Sequence, residues 1–321
     1  MSALTVLVIS RDAPYLQAVT EVRERTTFVI SNQLAVLREA APRADAILVT
    51  VGEAGLLQAI FSVATRLRWV HSFAAGVEAF LFPDLVQSPV TLTNARGAYK
   101  RALAEFVMAA VLFFAKDLRR LVRNQEAGVW QPFDVDDVHG KVIGIIGYGE
   151  TGRASAELAH AFGMRVLGLR RRPAQSRRDS LLESVFGPES LHEMLPLCDF
   201  VLLATPGTPQ TRGMIGQREI GLMKADAIVI NVGRGSLVHE AALVEALQQK
   251  RIRGAALDVF EVEPLPSGHP FYGMENVLLS PHAADHTPGY LGLGMESFIR
   301  NLQRFQNGEP LANVVDKTAG Y

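Results

Sequence analysis

The stretch Val142-Ile143-Gly144-Ile145-Ile146 runs straight into Gly147-Tyr148-Gly149-Glu150-Thr151-Gly152. The apolar, β-branched run reads as a buried strand, and the residues from Thr151 to Phe162 read as a helix. A strand that enters a helix through G-x-G-x-x-G has few folds open to it. Gly147 permits the tight turn, Gly149 lets the backbone approach a pyrophosphate, and Gly152 lets helix and strand pack closely. The helix N-terminus then offers amide N–H groups and a positive dipole end to phosphates. Glycines are common in turns, so the motif counts only in context. Here the strand, the helix and the next strand, Arg165–Leu169, all stand in place. Gly147, Tyr148, Gly149, Glu150, Thr151 and Gly152 are therefore read as a dinucleotide-binding loop.

The same alternation runs along the whole chain. Further strands are predicted at Leu4–Ile9, Ala46–Thr50, Arg68–His71, Phe200–Ala204, Ala227–Asn231, Ala255–Val259 and Val277–Ser280, with helical patterns between them. Strands alternating with helices imply βαβ units, an α/β fold and parallel sheets. From Tyr99 to Arg123, the residues Leu103, Phe106, Val107, Ala110, Val111, Phe114, Leu118 and Leu121 keep a helical period, which predicts one long helix. Asn124–Val138, with Gly128 and Pro132, reads as a loop or extended arm, and Gly292–Asn307 as a helix. At roughly 150 residues per domain, a chain of 321 residues suggests two domains.

Composition excludes several classes of function. The formal net charge is −1, so nothing draws the chain to nucleic acid. Cys198 is the single cysteine, which rules out an intrachain disulfide and a cysteine metal cluster. No run approaches the ~20 apolar residues of a membrane span. The opening apolar stretch is too short for a signal segment. The expectation is a cytoplasmic protein with no metal and no membrane partner.

An NAD site usually carries an acid at the end of the second strand, where it bonds the ribose 2′-OH. Here that strand ends in Arg170-Arg171-Arg172. A carboxylate would repel a 2′-phosphate, whereas guanidinium groups bind one through charge-assisted bonds. The expected cofactor is NADP, with NAD as second choice.

Three more segments carry chemistry: Asn231-Val232-Gly233-Arg234-Gly235, Asp258-Val259-Phe260-Glu261-Val262-Glu263-Pro264 and Ser280-Pro281-His282. In this order behind the glycine loop, they resemble the D-isomer-specific 2-hydroxyacid dehydrogenase family. Leu67–Val70, Ala75–Glu78, Ala104-Glu105 and Thr205–Gly213 extend the likeness over nearly the whole chain. Within the family it is most similar to the glyoxylate/hydroxypyruvate reductase branch.

The resemblance implies roles. Arg234 would grip the substrate carboxylate and polarise the 2-oxo group. His282 would be the acid/base, and Glu263 the carboxylate that pairs with it. Asp258 would contact the nicotinamide amide. Thr205, Pro206, Thr211, Val232, Gly233 and Ala284 would line the cofactor, and Ala75, Gly76 and Val77 would hold the substrate carboxylate. Hydride addition builds negative charge on the carbonyl oxygen, so a proton donor and a fixed cation must stand there.

The resemblance also implies two domains, each a doubly wound parallel sheet. A Rossmann cofactor domain, 99–285, would be inserted in a split flavodoxin-like substrate domain, 1–98 and 286–321, with the active site in the cleft. A homodimer is implied, with Trp130 and Phe133 either anchoring it or covering their own domain. Lys100, Asp285 and His286 depart from the family pattern, and their roles stay open. Two rival readings share the scaffold. Corepressor-type proteins sense NAD(P)H and keep the same catalytic residues. Formate enzymes place Gln where Glu263 stands, which argues against formate.

Overall fold

The computed structural model describes residues 3–11, 16–20, 26–50 and 52–321. The chain divides into two compact units, Met1–Tyr99 with Pro288–Tyr321, and Lys100–Thr287. The first unit holds a sheet of β1 (Leu4–Ile9), β2 (Thr26–Ser31), β3 (Ala46–Val49), β4 (Trp69–Ser72) and β5 (Thr91–Asn94). The order is β2-β1-β3-β4-β5, and every ladder is parallel. This is the flavodoxin-like order. Because side chains alternate across a strand, β1 feeds two cores. Leu7 and Ile9 pack with Leu37, Leu57 and Ile60 on one face. Val6 and Val8 pack on the other with Met295, Phe298 and Leu302 of the helix Tyr290–Asn307.

The second unit holds β6 (Val142–Ile146), β7 (Arg165–Leu169), β8 (Ser184–Phe186), β9 (Phe200–Leu203), β10 (Ile228–Asn231), β11 (Gly254–Leu257) and β12 (Val277–Leu279). These form one parallel sheet in the order β12-β11-β10-β9-β6-β7-β8. Chain order reverses between β6 and β9, which makes the switch point where ligands of such sheets bind, at the carboxyl ends of the strands. The helices Lys100–Ala115 and Glu150–Ala161 pack side by side, and Val107, Val111, Ala156 and Ala159 join Ile143 and Ile145 in the core on one face. The α/β class and the parallel, doubly wound sheets expected from the sequence are both present.

Three strands escaped the sequence reading. β2 has only a three-residue apolar run, Phe28–Ile30, between threonines and a serine, β5 has a single apolar residue, Leu92, and β8 is only 3 residues long. The long predicted helix is two, Lys100–Ala115 and Leu118–Glu126. Asp117 between them adopts φ +44, and its carboxylate accepts from the Arg120 N–H at 3.4 Å. A left-handed residue ends a helix, and a carboxylate facing orphan N–H groups starts the next. Leu118 and Leu121, which continued the apolar stripe, are 38 % and 48 % exposed.

His71 on β4 is fully buried beside Phe298, with ring centroids 5.7 Å apart. Its Nδ1 bonds the Thr93 hydroxyl at 2.7 Å, and the same hydroxyl accepts from the Trp69 indole at 2.8 Å. Nε2 has no hydrogen-bond partner among the described residues. Burial pushes the imidazole down to about 3. The unfolded chain therefore takes up a proton near pH 6.5 that the folded chain refuses until about pH 3, so stability rises with pH across that window. The contribution is full above pH 6.5 and is lost as pH falls, by roughly 3 kcal/mol between pH 7 and pH 4. Urea unfolding followed by fluorescence of the buried Trp69 should show this loss in the native chain and a shallower one in His71→Phe. Equal pH dependence in the two would contradict it.

Candidate active site

The glycines of the loop are forced by different neighbours. Gly147 has φ +100, and a Cβ there would lie 2.6 Å from the Ala204 carbonyl carbon. A Cβ on Gly152 would lie 2.3 Å from the Gly147 oxygen. Around Gly149 nothing lies within 4 Å of a Cβ position. The loop is thus closed against protein at its two ends and open in the middle, the shape a dinucleotide's diphosphate requires. The residues present fit the cofactor that the motif implies.

The residues of the loop have hydrogen-bond and ion-pair partners beyond it. Tyr148 is buried, and its hydroxyl donates to Asp179 at 3.0 Å. Burial, then the Asp179 carboxylate, holds the phenol above its usual range. Arg153 donates to the same carboxylate at 3.1 Å. Glu150, the first residue of the helix, pairs with Lys100 at 2.7 Å. Thr151 accepts from the Ser155 hydroxyl through its carbonyl.

At the end of β7 the arginines differ. Arg170 donates to Ser176 and, at 2.6 Å, to Gln175, so it pins the turn Pro173–Gln175. Arg171 and Arg172 are exposed. After β9, the Thr211 hydroxyl donates to the Pro206 carbonyl at 2.7 Å and accepts from the Thr208 N–H at 2.8 Å. Thr211 therefore closes the loop that begins at Thr205 and Pro206.

Arg234 sits in a turn with no room beside it. A Cβ on Gly235 would lie 1.9 Å from the Phe260 carbonyl carbon, and one on Gly233 2.8 Å from the Thr205 oxygen. Asn231, buried at the end of β10, donates to the Arg234 carbonyl at 2.9 Å and accepts from the Gly233 N–H at 3.0 Å. The Val232 N–H reaches the Leu203 carbonyl at 3.1 Å. The Arg234 guanidinium donates to the Gly233 carbonyl at 2.6 Å.

His282 and Glu263 meet. The histidine Nδ1 lies 2.7 Å from Glu263 Oε2, and Glu263 Oε1 accepts from the Phe260 N–H at 2.9 Å. The contact uses Nδ1 and leaves Nε2 for other work. His282 has φ +52, a backbone region costly for a residue with a Cβ. Buried Asp258 holds it there. Its carbonyl accepts from the His282 N–H at 2.9 Å. Its Oδ1 accepts from the Ser280 hydroxyl, the Ala283 N–H at 2.9 Å and the Ala284 N–H at 3.1 Å. Asp285, farther along the loop, is half-buried, and burial pushes its carboxyl above the usual range. His286 Nε2 lies 3.9 Å from it.

In the first unit, the loop after β4 holds Ala75, Gly76 and Val77. Val77 is buried, and the Ala75 carbonyl accepts from Asn94 at 2.6 Å. Asn231 and Ser280 stand inside the segments read for chemistry but were given no role there, and Asn94 was not singled out; all three are bracing residues. The signal available for Asn231 and Asn94 was a buried-type asparagine at a strand end, where a side chain can bond the turn that follows. Among the described residues, no cluster of three or more His, Cys, Asp or Glu is placed to hold a metal ion. No helix among them is long and apolar enough to cross a membrane.

The model of the D-isomer specific 2-hydroxyacid dehydrogenase NAD binding domain matches residues 108–284. The chain is 36 % identical over 291 residues to a glyoxylate reductase of Thermococcus gammatolerans, covering 88 % of this chain and 86 % of the relative. A D-isomer specific 2-hydroxyacid dehydrogenase from Xanthobacter autotrophicus, solved with NADPH and MES, is 29 % identical with a TM-score of 0.85, covering 100 % of both chains. An NADPH-dependent glyoxylate/hydroxypyruvate reductase from Sinorhizobium meliloti, solved with NADP and sulfate, is 27 % identical with a TM-score of 0.85, covering 99 % of this chain and 100 % of that one. With the glycine loop, the braced arginine turn and the His282–Glu263 contact all lying in the stretch that this likeness spans, the chain belongs to the D-isomer specific 2-hydroxyacid dehydrogenase family.

Proposed function

We propose that the protein is an NADPH-dependent reductase of small 2-oxo acids, with glyoxylate and hydroxypyruvate as the first candidates. The observation that carries this reading is the bond between His282 Nδ1 and Glu263 at 2.7 Å. A carboxylate on Nδ1 orients the ring and leaves Nε2 as the nitrogen that hands a proton to a carbonyl oxygen. Arg234 grips the substrate carboxylate with its planar fork and draws charge toward the carbonyl oxygen. Backbone N–H groups of Ala75, Gly76 and Val77 are further substrate contacts in this reading. A reduced nicotinamide held over the glycine loop supplies the hydride. Asp258 fixes the loop that carries His282 and stands near the nicotinamide amide, with Ala284 beside it. Thr205, Pro206, Thr211, Val232 and Gly233 line the cofactor. A cytoplasmic setting, where NADPH is available, suits this chemistry.

The preference for NADPH rests on Arg170, Arg171 and Arg172. Arg170 is preorganised by Ser176 and Gln175, which lowers the entropy lost when it meets a phosphate. Two partly exposed guanidinium contacts, each of about 1–2 kcal/mol, correspond to a preference of roughly 30- to 10³-fold in kcat/KM. Steady-state kinetics with both cofactors on one 2-oxo acid tests this. The preference should shrink as salt rises, and Arg170→Asp should reverse it. Equal use of NADH by the native chain would contradict it.

A homodimer completes the reading. Trp130 is 98 % exposed, and Val122, Val129 and Val135 are also open on the helix Leu118–Glu126 and the arm after it. Phe133 instead lies under the Arg120 guanidinium, 4.2 Å from ring to charge, and covers its own unit. A single-chain mass by light scattering would contradict the dimer.

A further inference from the structure

Lys100 opens the helix Lys100–Ala115, and Glu150 opens the helix Glu150–Ala161 directly after Gly149. Their charged groups meet at 2.7 Å, with both side chains about half exposed. An acid in the first turn of a helix is ordinarily favourable, because it faces the positive dipole end. This turn is different. The open space over Gly149 is the place for the cofactor's diphosphate, and a carboxylate at Glu150 meets that anion with like charge. Uncompensated, the pair of negative groups would weaken binding. An ammonium carries several N–H donors. The bond to Glu150 uses one of them and leaves others for a phosphate oxygen.

Resting on the function proposed above, we propose that Lys100 is a cofactor-binding residue whose ammonium bridges Glu150 and the diphosphate of the bound dinucleotide. The bridge offsets the charge that Glu150 brings to the loop. It also ties the start of one helix to the start of the other while cofactor is present. Arg153 does not serve this purpose, since its guanidinium is engaged by Asp179 and Glu157.

The test is a set of binding titrations on the full chain: native, Lys100→Met, Glu150→Gln and the double variant. Two probes are used. NADPH carries the diphosphate, whereas adenosine 2′-monophosphate shares the adenosine and 2′-phosphate without it. Lys100→Met is expected to weaken NADPH binding about tenfold, the scale of one partly exposed charge contact. The double variant should bind NADPH more tightly than Lys100→Met, because the repelling carboxylate is gone. Adenosine 2′-monophosphate should bind all four proteins alike. Unchanged NADPH affinity in Lys100→Met would overturn the inference, as would a double variant no better than Lys100→Met. Equal losses for both probes would overturn it too, because they would mean a damaged loop. A native chain that binds no NADPH would remove the proposed function and this inference together. A native chain that turns NADPH over while Lys100→Met binds it normally would remove this inference alone.

Discussion

His282→Ala is expected to lower kcat by about 10²–10⁴ while NADPH still binds. In the proposed reading the imidazole delivers the proton, and its Nδ1 lies 2.7 Å from Glu263. Removing the ring leaves the developing oxyanion to water, but it does not touch the glycine loop. The backbone at His282 has φ +52, so a folding defect must be separated from a chemical one. His282→Asn does this, because asparagine tolerates the left-handed region better than alanine. Both variants should lose activity alike and keep cofactor affinity. An Asn or Ala variant with kcat near the native value would show that His282 is not the proton donor.

Arg234→Ala should raise KM and lower kcat together. The guanidinium is assigned to both the substrate carboxylate and the carbonyl oxygen, so its loss is felt in the ground state and in the transition state. Losing a charged hydrogen bond in a closed site costs about 2–4 kcal/mol, or roughly 30- to 10³-fold in kcat/KM. Arg234→Lys should recover only part of this, since an ammonium cannot reproduce the planar fork. The turn itself should survive truncation. It is set by Gly233, Gly235 and the Asn231 brace rather than by the arginine side chain. An alanine variant with near-native kcat/KM would remove Arg234 from the mechanism.

The glycine loop was legible because each glycine answers a local demand: a positive φ at Gly147, a close approach at Gly152 and open space at Gly149. Arg234 between two glycines was legible for a similar reason, although the neighbour that forces Gly235 is Phe260, which no local pattern points to. Asp258 was read through the family as a nicotinamide contact. Its place under Ala283 and Ala284, holding the His282 loop, depends on a fold that brings residues 25 and 26 positions apart together. Periodicity also has a limit at Asp117. The apolar stripe continues past it to Leu118 and Leu121, yet one left-handed residue redirects the chain and leaves both leucines exposed. The arginine run showed its charge but not its division of labour, since Ser176 and Gln175 meet Arg170 only once the turn has formed. Strands such as β5, Thr91-Leu92-Thr93-Asn94, are hidden because hydroxyl and amide side chains there are buried by partners such as Trp69 and His71.

The most direct measurement is the oxidation of NADPH, followed by its absorbance, when the purified protein is given glyoxylate, hydroxypyruvate or pyruvate. The account predicts steady turnover with at least one of these acids, faster with NADPH than with NADH, and lowered about 10²–10⁴-fold by His282→Ala. No turnover with any 2-oxo acid, by a chain that binds NADPH, would contradict it and would leave a nucleotide-binding protein without this reductase activity.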